Sequence, residues 1–309
     1  MNQIANKRVA GSHVASWRIA LTWPEEVVDV ARRTSPVLLR RQLGDELRRH
    51  REAAGEKAGD VAKALGVQPA AISRLENGQR RPMLLYVAAL CDHYGLDRET
   101  TEQLKGLARA AHQEGWWEKW NTADPWESAY AGFEAGASVI KSYELGFVPG
   151  LLQTADYTRA VVIALLPEIS QDALEKNIEF RARRQDVLVT ADPVELHAII
   201  SENVLRTMIG DPDVMRGQMI HLREQMKLPN VKLQVLPFTA GSAISQVGSF
   251  TVLEFSDGLT GDIVHTETAL GTTAERGKKE SVRCKSYFTK IAAAAADEET
   301  SIRIIEALL

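Results

Sequence analysis

The side chains best suited to chemistry in this sequence lie in one short stretch and could form hydrogen bonds to the base edges of DNA. Gln68, Ser73 and Arg74 carry an amide, a hydroxyl and a guanidinium group, and each can pair with groups exposed in the major groove. Ala70 or Ala71 could contact a thymine methyl group. These few residues form the predicted base-contacting surface, or reading face. We expect Arg74 to contribute most to base recognition.

Two short helical patterns would position these side chains. Residues 58–65 and 69–76 are separated by Gly66, whose lack of a side chain suits a tight turn. Two helices joined by such a turn are typical of a helix-turn-helix, in which the second helix lies in the major groove and the first crosses the DNA backbone. Asn77 and Gly78 would end the second helix. The expected core positions are Val61, Ala62, Leu65, Ile72 and Leu75.

The overall net charge is not positive, so any positive charge used for DNA binding must be concentrated in one part of the chain. The 309 residues carry a net charge of −4, whereas residues 37–90 contain ten basic and six acidic side chains, a net charge of +4. The remaining residues therefore carry −8. This asymmetry suits a DNA-binding head on an acidic body, although a solvated helical surface alone could produce it.

The cysteine content indicates a reducing compartment, and the hydropathy gives no sign of a membrane segment. Cys91 and Cys284 lie far apart in the sequence, both in helical patterns, so no disulfide framework is expected. No apolar run approaches the roughly 18 residues that span a bilayer, and residues 1–34 lack the continuous apolar segment of a signal peptide. We expect a cytoplasmic protein with no membrane segment.

Length and pattern predict two domains, a mainly α N-terminal five-helix helix-turn-helix domain followed by an α+β C-terminal domain. The chain is long for one domain, and 45% hydrophobic content is sufficient for two cores. The N-terminal residues show no sustained period and are expected to form a weakly ordered extension, with a basic DNA-contacting arm as the alternative. The predicted boundaries are 1–35 for the extension, 36–98 for the helix-turn-helix domain, 99–135 for a helical, Trp-rich connector and 136–309 for the α+β domain.

The C-terminal domain shows strand patterns separated by helical ones. Apolar and polar residues alternate with a period of two in the strand patterns, as they do in half-buried strands. The predicted strands are 194–200, 231–236, 250–255 and 262–267, and the predicted helices are 172–188, 211–226 and a long closing segment from about 273 to 309. Strands separated by helices argue for the α+β class.

Catalytic motifs are absent from the sequence. It contains no nucleotide-binding glycine loop, no hydrolase serine motif and no histidines or cysteines with metal-ligand spacing. We therefore expect no catalytic residue, no metal and no cofactor. His197 and His265 could still converge with acidic residues if their strands pair, although strand-borne polar residues more often lie on a solvated face. The acidic residues are Glu195, Glu202 and Glu267.

Two further clusters have both a functional and a structural interpretation. Residues 181–185, Arg-Ala-Arg-Arg-Gln, could hold a phosphate or carboxylate ligand through paired guanidinium groups, or could form a solvated helix face. Four tryptophans within residues 116–126 could stack single-stranded bases. Because Lys119 is the one basic residue among them, we expect them to pack between the domains instead.

Residues 71–78, Ala-Ile-Ser-Arg-Leu-Glu-Asn-Gly, make the sequence similar to the phage-repressor-like, or Xre-type, helix-turn-helix family. In that family an arginine late in the first helix commonly pairs with a glutamate near the end of the recognition helix. The resemblance therefore implies a structural ion pair between Arg51 and Glu76. The sequence departs from the family at residues 56–58, Glu-Lys-Ala, where members usually have an apolar residue and then Thr-Gln. The family's glutamine binds a phosphate, and Lys57 could take over that contact.

A second set of motifs runs through nearly the whole chain. These motifs are Gly115 to Trp117, Ser142 to Glu144, residues 148–154 with Asp156 and Tyr157, residues 183–185, residues 228–231 and residues 234–238. They look like those of the actinobacterial regulators called WhiJ-like, which join an Xre-type head to a large C-terminal domain. Such proteins are described as antitoxin-like transcriptional regulators and are frequently encoded beside a small partner protein. The resemblance implies the same class and such a partner here.

These features predict a sequence-specific DNA-binding transcriptional regulator whose C-terminal domain senses a small partner protein or a ligand. One helix-turn-helix reads few base pairs, so we expect a homodimer on double-stranded DNA, with half-sites about 34 Å apart. The alternative is an antitoxin-like interaction module with vestigial DNA binding, supported by the departures at Glu56, Ala58 and Pro69. The expected DNA contacts are Arg74, Ser73, Gln68, Ala70, Ala71, Lys57, Arg80 and Arg81.

Overall fold

A computed structural model of the protein describes residues 35–120, 125–240, 246–256, 261–268, 271–275 and 278–309. The predicted N-terminal extension, apart from Ser35, lies outside these residues, as does its alternative interpretation as a basic arm. The described residues form twelve α-helices, several short 3-10 helices and one six-stranded sheet.

The first five helices form the predicted helical domain, called the head below. They are α1 (Pro36–Ala53), α2 (Ala58–Ala64), α3 (Pro69–Glu76), α4 (Leu84–His93) and α5 (Arg98–Ala111). Leu43 and Leu47, one turn apart on α1, are fully buried and pack with Val61 of α2 and Ile72 of α3. Gly66, after α2, has a φ of +66°, a left-handed conformation that glycine adopts without strain. The helix-turn-helix predicted from the sequence is therefore present.

The head extends further than predicted, because α5 belongs to its core. Leu104 and Ala108 of α5 are buried in the same cluster as Leu43 of α1 and Val87 of α4. The helix expected to begin the connector instead closes the first domain. The structure therefore moves the end of the head from residue 98 to the end of α5.

The remaining elements form the predicted α+β domain, called the body below. Its strands are β1 (Val139–Glu144), β2 (Glu195–Ser201), β3 (Val231–Leu236), β4 (Phe250–Glu254), β5 (Ile263–Thr268) and β6 (Gly271–Glu275). Its helices are α6 (Pro125–Gly136), α7 (Ala155–Leu165), α8 (Gln171–Arg184), α9 (Glu202–Arg206), α10 (Pro212–Gln225), α11 (Lys278–Ala294) and α12 (Glu298–Glu306). The strand order is β3-β2-β1-β4-β5-β6, with β1–β2 and β2–β3 parallel and the other pairs antiparallel.

The four strand predictions correspond to β2, β3, β4 and β5, but two strands and one helix boundary differ from expectation. β1 and β6 were not predicted. The closing helix expected from about residue 273 begins as β6, followed by two helices. Asp297 separates α11 from α12, since its carboxylate accepts the backbone N–H of Thr300 at 2.8 Å and so caps the N-terminus of α12.

Helices cover both faces of the sheet. Successive strand residues point to opposite faces, and α11 covers one face by packing Phe288 and Ile291 against Tyr143 and Val252. The other face carries Ile140 and is covered by helices that include α6, α7, α8 and α10. Each face therefore has its own apolar core.

Helix α1 contributes to both domains. Its first residues, Val37 and Leu38, pack in the core of the body, whereas its later residues pack in the head. Ser35 donates a buried hydrogen bond from Oγ to the carbonyl oxygen of Gly132 on α6, at 2.7 Å. A Cβ atom at Gly132 would approach Cγ2 of Val37 to 2.6 Å, so the close crossing requires glycine. The α1–α6 contact thus joins head to body in addition to the chain itself.

The tryptophan cluster, predicted to pack between the domains, packs against the body. Residues Trp116–Trp120 form a 3-10 helix in which Trp117 is buried. The rings of Trp116 and Trp120 lie against Phe180 of α8, with centroid separations of 5.6 and 6.2 Å. The side chain of Trp126 lies outside the described part of the structure.

Candidate nucleic-acid interface

Helix α3 buries one face in the head and exposes the other. Ile72 and Leu75 are 0% and 5% exposed, whereas Gln68, Ser73 and Arg74 are exposed. All three polar side chains of the predicted reading face therefore reach solvent. Pro69 occupies the first turn, where its missing N–H removes no intrahelical hydrogen bond.

The two alanines predicted to contact thymine methyl groups differ in accessibility. Ala70 is exposed, whereas Ala71 is 7% exposed and lies one turn before Leu75 on the buried side of α3. Of the two alternatives, Ala70 is therefore the better placed for contact with a thymine methyl group, and the contact itself stays a prediction.

The structure contains the ion pair implied between the end of α1 and the end of α3. Arg51 donates from Nε to Oε1 of Glu76 at 2.7 Å and from Nη2 to Oε2 at 2.9 Å. The side chains are 11% and 4% exposed, so this two-point contact is shielded from water. Arg48 adds an ion pair to Glu76 at 3.5 Å and donates to Oδ1 of Asn77 at 2.6 Å. These contacts fix the orientation of α3 relative to α1.

Glu76 also stabilises the charged form of its partner. The hydrogen bond to Glu76 raises the pKa of Arg51, against the opposing effect of burial. Arg51 also donates from Nη1 to the carbonyl oxygen of Glu56 at 2.8 Å, which holds the chain segment that precedes α2. One charged side chain thus ties together α1, the segment before α2 and the end of α3.

Gly44 lets α1 and α3 approach closely enough for these contacts. A Cβ atom at Gly44 would overlap the carbonyl oxygen of Glu76 and lie 2.8 Å from that of Leu75. Both obstacles are backbone atoms, so a larger residue must displace α3. We expect Gly44→Ala to lower the free energy of unfolding by about 1–3 kcal/mol, the usual cost of overpacking. Urea denaturation would measure it, with Gly59→Ala as the control, because a Cβ atom at Gly59 meets nothing within 4 Å.

The basic residues flanking α3 divide into two groups. Lys57 and Arg80 are exposed, as phosphate contacts must be. Arg81, by contrast, forms ion pairs with Glu114, at 2.7 Å, and with Glu118. These ion pairs give Arg81 a structural role, and its contact with DNA stays a prediction.

Glu118 links Arg81 to the second arginine of this cluster. Arg40 donates from Nη2 to Oε1 of Glu118 at 2.6 Å and from Nε to the carbonyl oxygen of Ala111 at 2.9 Å. Burial would raise the pKa of Glu118, but hydrogen bonds from Arg40 and Arg81 outweigh it and hold the pKa below its usual range. The carboxylate therefore stays charged and joins the segment after α3 to α1 and to the 3-10 helix of the tryptophan cluster.

The histidines considered for an enzymatic site do not converge. The ring of His197 lies against Phe288 of α11, and its Nε2 is 2.7 Å from Oε1 of Gln234. The ring of His265 lies against Tyr130 of α6 on the other face of the sheet, with centroids 4.3 Å apart.

The acidic residues of that grouping are also dispersed. Glu195 shares the face of His197, two residues away on β2. Glu202 lies on α9, where its carboxylate accepts the backbone N–H of Phe238 and pairs with Arg206. The side chain of Glu267 is outside the described residues, and among those described no group of three or more His, Cys, Asp or Glu side chains could hold a metal.

Residues 181–185 do not form a simple solvated face of α8. Arg184 donates from Nε and Nη2 to the two carboxylate oxygens of Glu134 on α6, at 2.8 and 2.9 Å. Arg181 donates from Nη1 to Oε1 of Gln153 at 3.2 Å. Of the three arginines, Arg183 pairs with a residue close by in sequence, Asp186. Two of these guanidinium groups thus point into the body.

Sequence reasoning missed the partner of Arg184. Glu134 is 2% exposed, yet it is the one charged residue between Glu127 and Lys141. A carboxylate surrounded by alanine, glycine and aromatic residues on a helix signals a buried charge, which must have a cationic partner. The sequence contained this signal, but not the identity of the partner, which lies 50 residues away.

Two protein-family models match the chain. One, described as a helix-turn-helix domain, matches residues 42–104. The other, described as a domain of unknown function, DUF5753, matches residues 128–307. No curated protein and no solved structure matches. Within the described residues, no helix is long and apolar enough to cross a bilayer.

Proposed function

The chain belongs to the family defined by the domain of unknown function DUF5753. From its separate helix-turn-helix domain we propose that it is a transcriptional regulator that binds specific sequences of double-stranded DNA through α3. The main observation that supports this proposal is the exposed polar face of α3 within the matched helix-turn-helix domain. Gln68, Ser73 and Arg74 are the base-reading residues of this proposal, Ala70 contacts a thymine methyl group, and the exposed Lys57 and Arg80 bind phosphates.

Within this function we propose an Xre-type head and a relationship to the WhiJ-like, antitoxin-like regulators. The Arg51–Glu76 pair supports the first proposal, because it joins the helices that the Xre resemblance implies. The motifs in the body support the second. The proposal places the protein in the cytoplasm, which suits two cysteines, Cys91 and Cys284, that form no disulfide. The body has no catalytic role in this proposal and senses a small partner protein or a ligand.

Arg74→Ala tests base reading. We expect it to weaken binding to the preferred site by about 1–3 kcal/mol and to relax discrimination at one base position, because a guanidinium contact to a base edge is lost. Fluorescence anisotropy with a set of single-base variants of the site would measure both effects. Arg109→Ala is the matched control, since Arg109 is 58% exposed on α5 and is not among the proposed contacts. Unchanged discrimination in Arg74→Ala would remove Arg74 from the reading face.

Lys57→Ala tests phosphate binding and has a different signature. We expect it to weaken binding to all sequences alike and to reduce the slope of log affinity against log salt by about one phosphate contact. The slope for Arg109→Ala should match that of the unmodified protein. A sequence-dependent loss in Lys57→Ala would contradict a phosphate role.

We further propose a homodimer on a pseudo-palindromic site, with half-sites about 34 Å apart. One recognition helix of this length contacts few base pairs, so a second copy supplies the rest of the specificity. Sedimentation at DNA-binding concentrations, combined with the stoichiometry of the DNA complex, tests this arrangement. A monomer that binds DNA one to one would overturn it.

A second candidate function is an antitoxin-like interaction module with vestigial DNA binding. The observation that favours it is the exposed Asp60 in the first turn of α2, where its charge opposes a DNA phosphate near Lys57. The departure at Pro69 gives less support, since proline is well tolerated in the first turn of α3. A gel-shift experiment with the protein's own promoter, with and without the product of the adjacent gene, separates the two functions. A shift by the protein alone favours the regulator.

A further inference from the structure

Arg81 lies beside the recognition helix, at the edge of the proposed DNA-binding surface. It follows Arg80 in the segment between α3 and α4, and both arginines line one small cleft with Ala71 and Leu75 of α3. The sugar-phosphate backbones border the major groove on both sides, so basic residues beside a recognition helix can reach phosphates. Arg81 therefore has the position expected of a phosphate contact.

Two carboxylates of the protein already bind the Arg81 guanidinium group. Nη1 donates to Oε1 of Glu114 at 2.7 Å, and Nε donates to Oε2 of Glu118 at 3.0 Å. Nη2 donates to the same oxygen of Glu118. Phosphate and carboxylate groups bind a guanidinium group in the same way, through charged oxygens that accept its N–H groups. Glu114 and Glu118 thus bind Arg81 as a phosphate would.

The Arg81 ion pairs are partly exposed to water, so the partners can be exchanged. The side chains of Arg81 and Glu114 are 36% and 55% exposed. Ion pairs with such exposure contribute little to stability, because water solvates both groups when they separate. Release of counterions from the duplex further favours the contact between an arginine and a DNA phosphate. Arg81 can therefore exchange a carboxylate for a phosphate.

Glu118 keeps a partner when Arg81 leaves. Its side chain is 17% exposed, and its other oxygen, Oε1, accepts a hydrogen bond from Nη2 of Arg40 at 2.6 Å. Arg40 also donates to the carbonyl oxygens of Ala111 and Gln113, at 2.9 and 3.0 Å. The exchange therefore leaves no unpaired buried carboxylate, so the large cost of an uncompensated buried charge does not arise.

The segment that carries the two carboxylates is anchored to the body. Glu118 lies within the 3-10 helix Trp116–Trp120, and Glu114 precedes it by two residues. Trp117 of this helix is buried, and its other two tryptophans pack on Phe180 of α8. The carboxylates are therefore held in position beside the head by contacts that do not involve Arg81.

We infer that Glu114 and Glu118 hold Arg81 in place of a DNA phosphate, and that this autoinhibitory contact limits the affinity of the head for DNA. Both ion pairs must break before Arg81 binds DNA, so the free energy of breaking them opposes the phosphate contact. Removal of the carboxylates should therefore strengthen DNA binding, whereas loss of a purely structural contact would weaken it. The inference rests on the proposed DNA-binding function.

Glu114→Gln and Glu118→Gln test the inference by fluorescence anisotropy, with the protein's own promoter and with a short duplex of mixed sequence. We expect binding to become about twofold tighter in Glu114→Gln and about fivefold tighter in Glu118→Gln, because Glu118 receives two of the three hydrogen bonds. The slope of log affinity against log salt should become steeper by about one phosphate contact. Both duplexes should show the gain, because phosphates carry no sequence information.

Glu102→Gln is the matched control, because it removes the same charge from the head. The Glu102 side chain is 56% exposed, nearly the same as that of Glu114, and it pairs with Lys105 and Arg109 of α5. Neither of these partners is a proposed DNA contact. A gain in Glu114→Gln no larger than that of the control, or weaker binding in Glu114→Gln, would overturn the inference.

Combination with Arg81→Ala identifies the group that is released. Arg81→Ala should abolish the gain in both carboxylate variants, because no guanidinium group then becomes available to the phosphate. A gain that persists without Arg81 would come from the field of the removed carboxylate and would overturn the inference. Glu118→Gln also removes the charged partner of Arg40, so urea denaturation should check its fold. If that variant is misfolded, the cycle of Arg81 with the exposed Glu114 decides the outcome.

Retention on heparin, a sulfated polyanion, separates this inference from the proposed function. Heparin binds basic side chains without any base sequence, so Glu114→Gln should elute at a higher salt concentration than Glu102→Gln. That order, in a protein that binds neither duplex, would overturn the proposed function and support the release of Arg81. DNA binding with equal affinities in the two variants would overturn the inference and leave the proposed function in place.

Discussion

Replacement of Glu76 by glutamine will lower the free energy of unfolding of the head by about 3–5 kcal/mol, because it leaves two arginines beside a buried site without their carboxylate. Arg51 makes its two-point contact with Glu76 where both side chains are largely buried. Arg48 contributes a longer contact to the same carboxylate. Glutamine has nearly the same shape as glutamate, so the lost stability reports the removal of the charge rather than a change in packing. Urea denaturation followed by circular dichroism would measure it.

Glu46→Gln is the control for this experiment. Glu46 pairs with Arg49 on the same helix, but the Arg49 side chain is 67% exposed, so its charge stays hydrated when the partner is removed. We expect little change in that variant. Combining Glu76→Leu with Arg51→Met should recover most of the lost stability, because no buried charge then remains unpaired. If Glu76→Gln and Glu46→Gln have equal effects, the Arg51–Glu76 pair does not hold α3 in place.

Replacement of Glu134 by glutamine will destabilise the body by a similar amount, about 3–5 kcal/mol, for the same physical reason. The Glu134 side chain is 2% exposed and that of Arg184 is 15% exposed, and their contact joins α6 to α8. Denaturation followed by tryptophan fluorescence would report this loss, because Trp116 and Trp120 pack on Phe180 of α8.

The Arg159–Glu175 pair provides the control in the body. It has the same two-point geometry, with distances of 2.6 and 3.2 Å, but it lies at the surface. We expect Glu175→Gln to have little effect, because water solvates the arginine that remains. A Glu134→Gln protein as stable as Glu175→Gln would show that the buried contact does not hold α6 against α8.

The helix-turn-helix could be predicted from the sequence because its signals are local. Apolar spacing defines α2 and α3, and Gly66 supplies the positive φ angle of the turn. The same helical period also places Ala71 on the buried side, one turn before Leu75, so the sequence alone could have favoured Ala70 over Ala71. The ion pairs of Arg81 were not predictable from the sequence, because its partners Glu114 and Glu118 lie more than 30 residues away.

Strand β1 and the cavity that lies between the sheet and helices α6, α7 and α8 were not predicted from the sequence for a related reason. β1 reads Val-Ile-Lys-Ser-Tyr-Glu, and its cavity face carries Ile140, Ser142 and Glu144, one apolar and two polar residues. A strand with such a mixed face lacks the simple alternation from which strands are recognised. Side chains that line an internal polar site therefore obscured the secondary structure that positions them.

The sharing of α1 between head and body limits how such proteins can diversify by recombination. A crossover in the segment between α5 and α6 would join a head from one protein to a body from another. The incoming α6 would then meet a foreign α1, yet the glycines at 132 and 136 leave room for one particular pair of side chains, Val37 and Leu38. Recombination in the segment between α5 and α6 would therefore disrupt the matched contact between α1 and α6. Heads and bodies of this design must be inherited together, or exchanged with their α1 and α6 helices as a matched set.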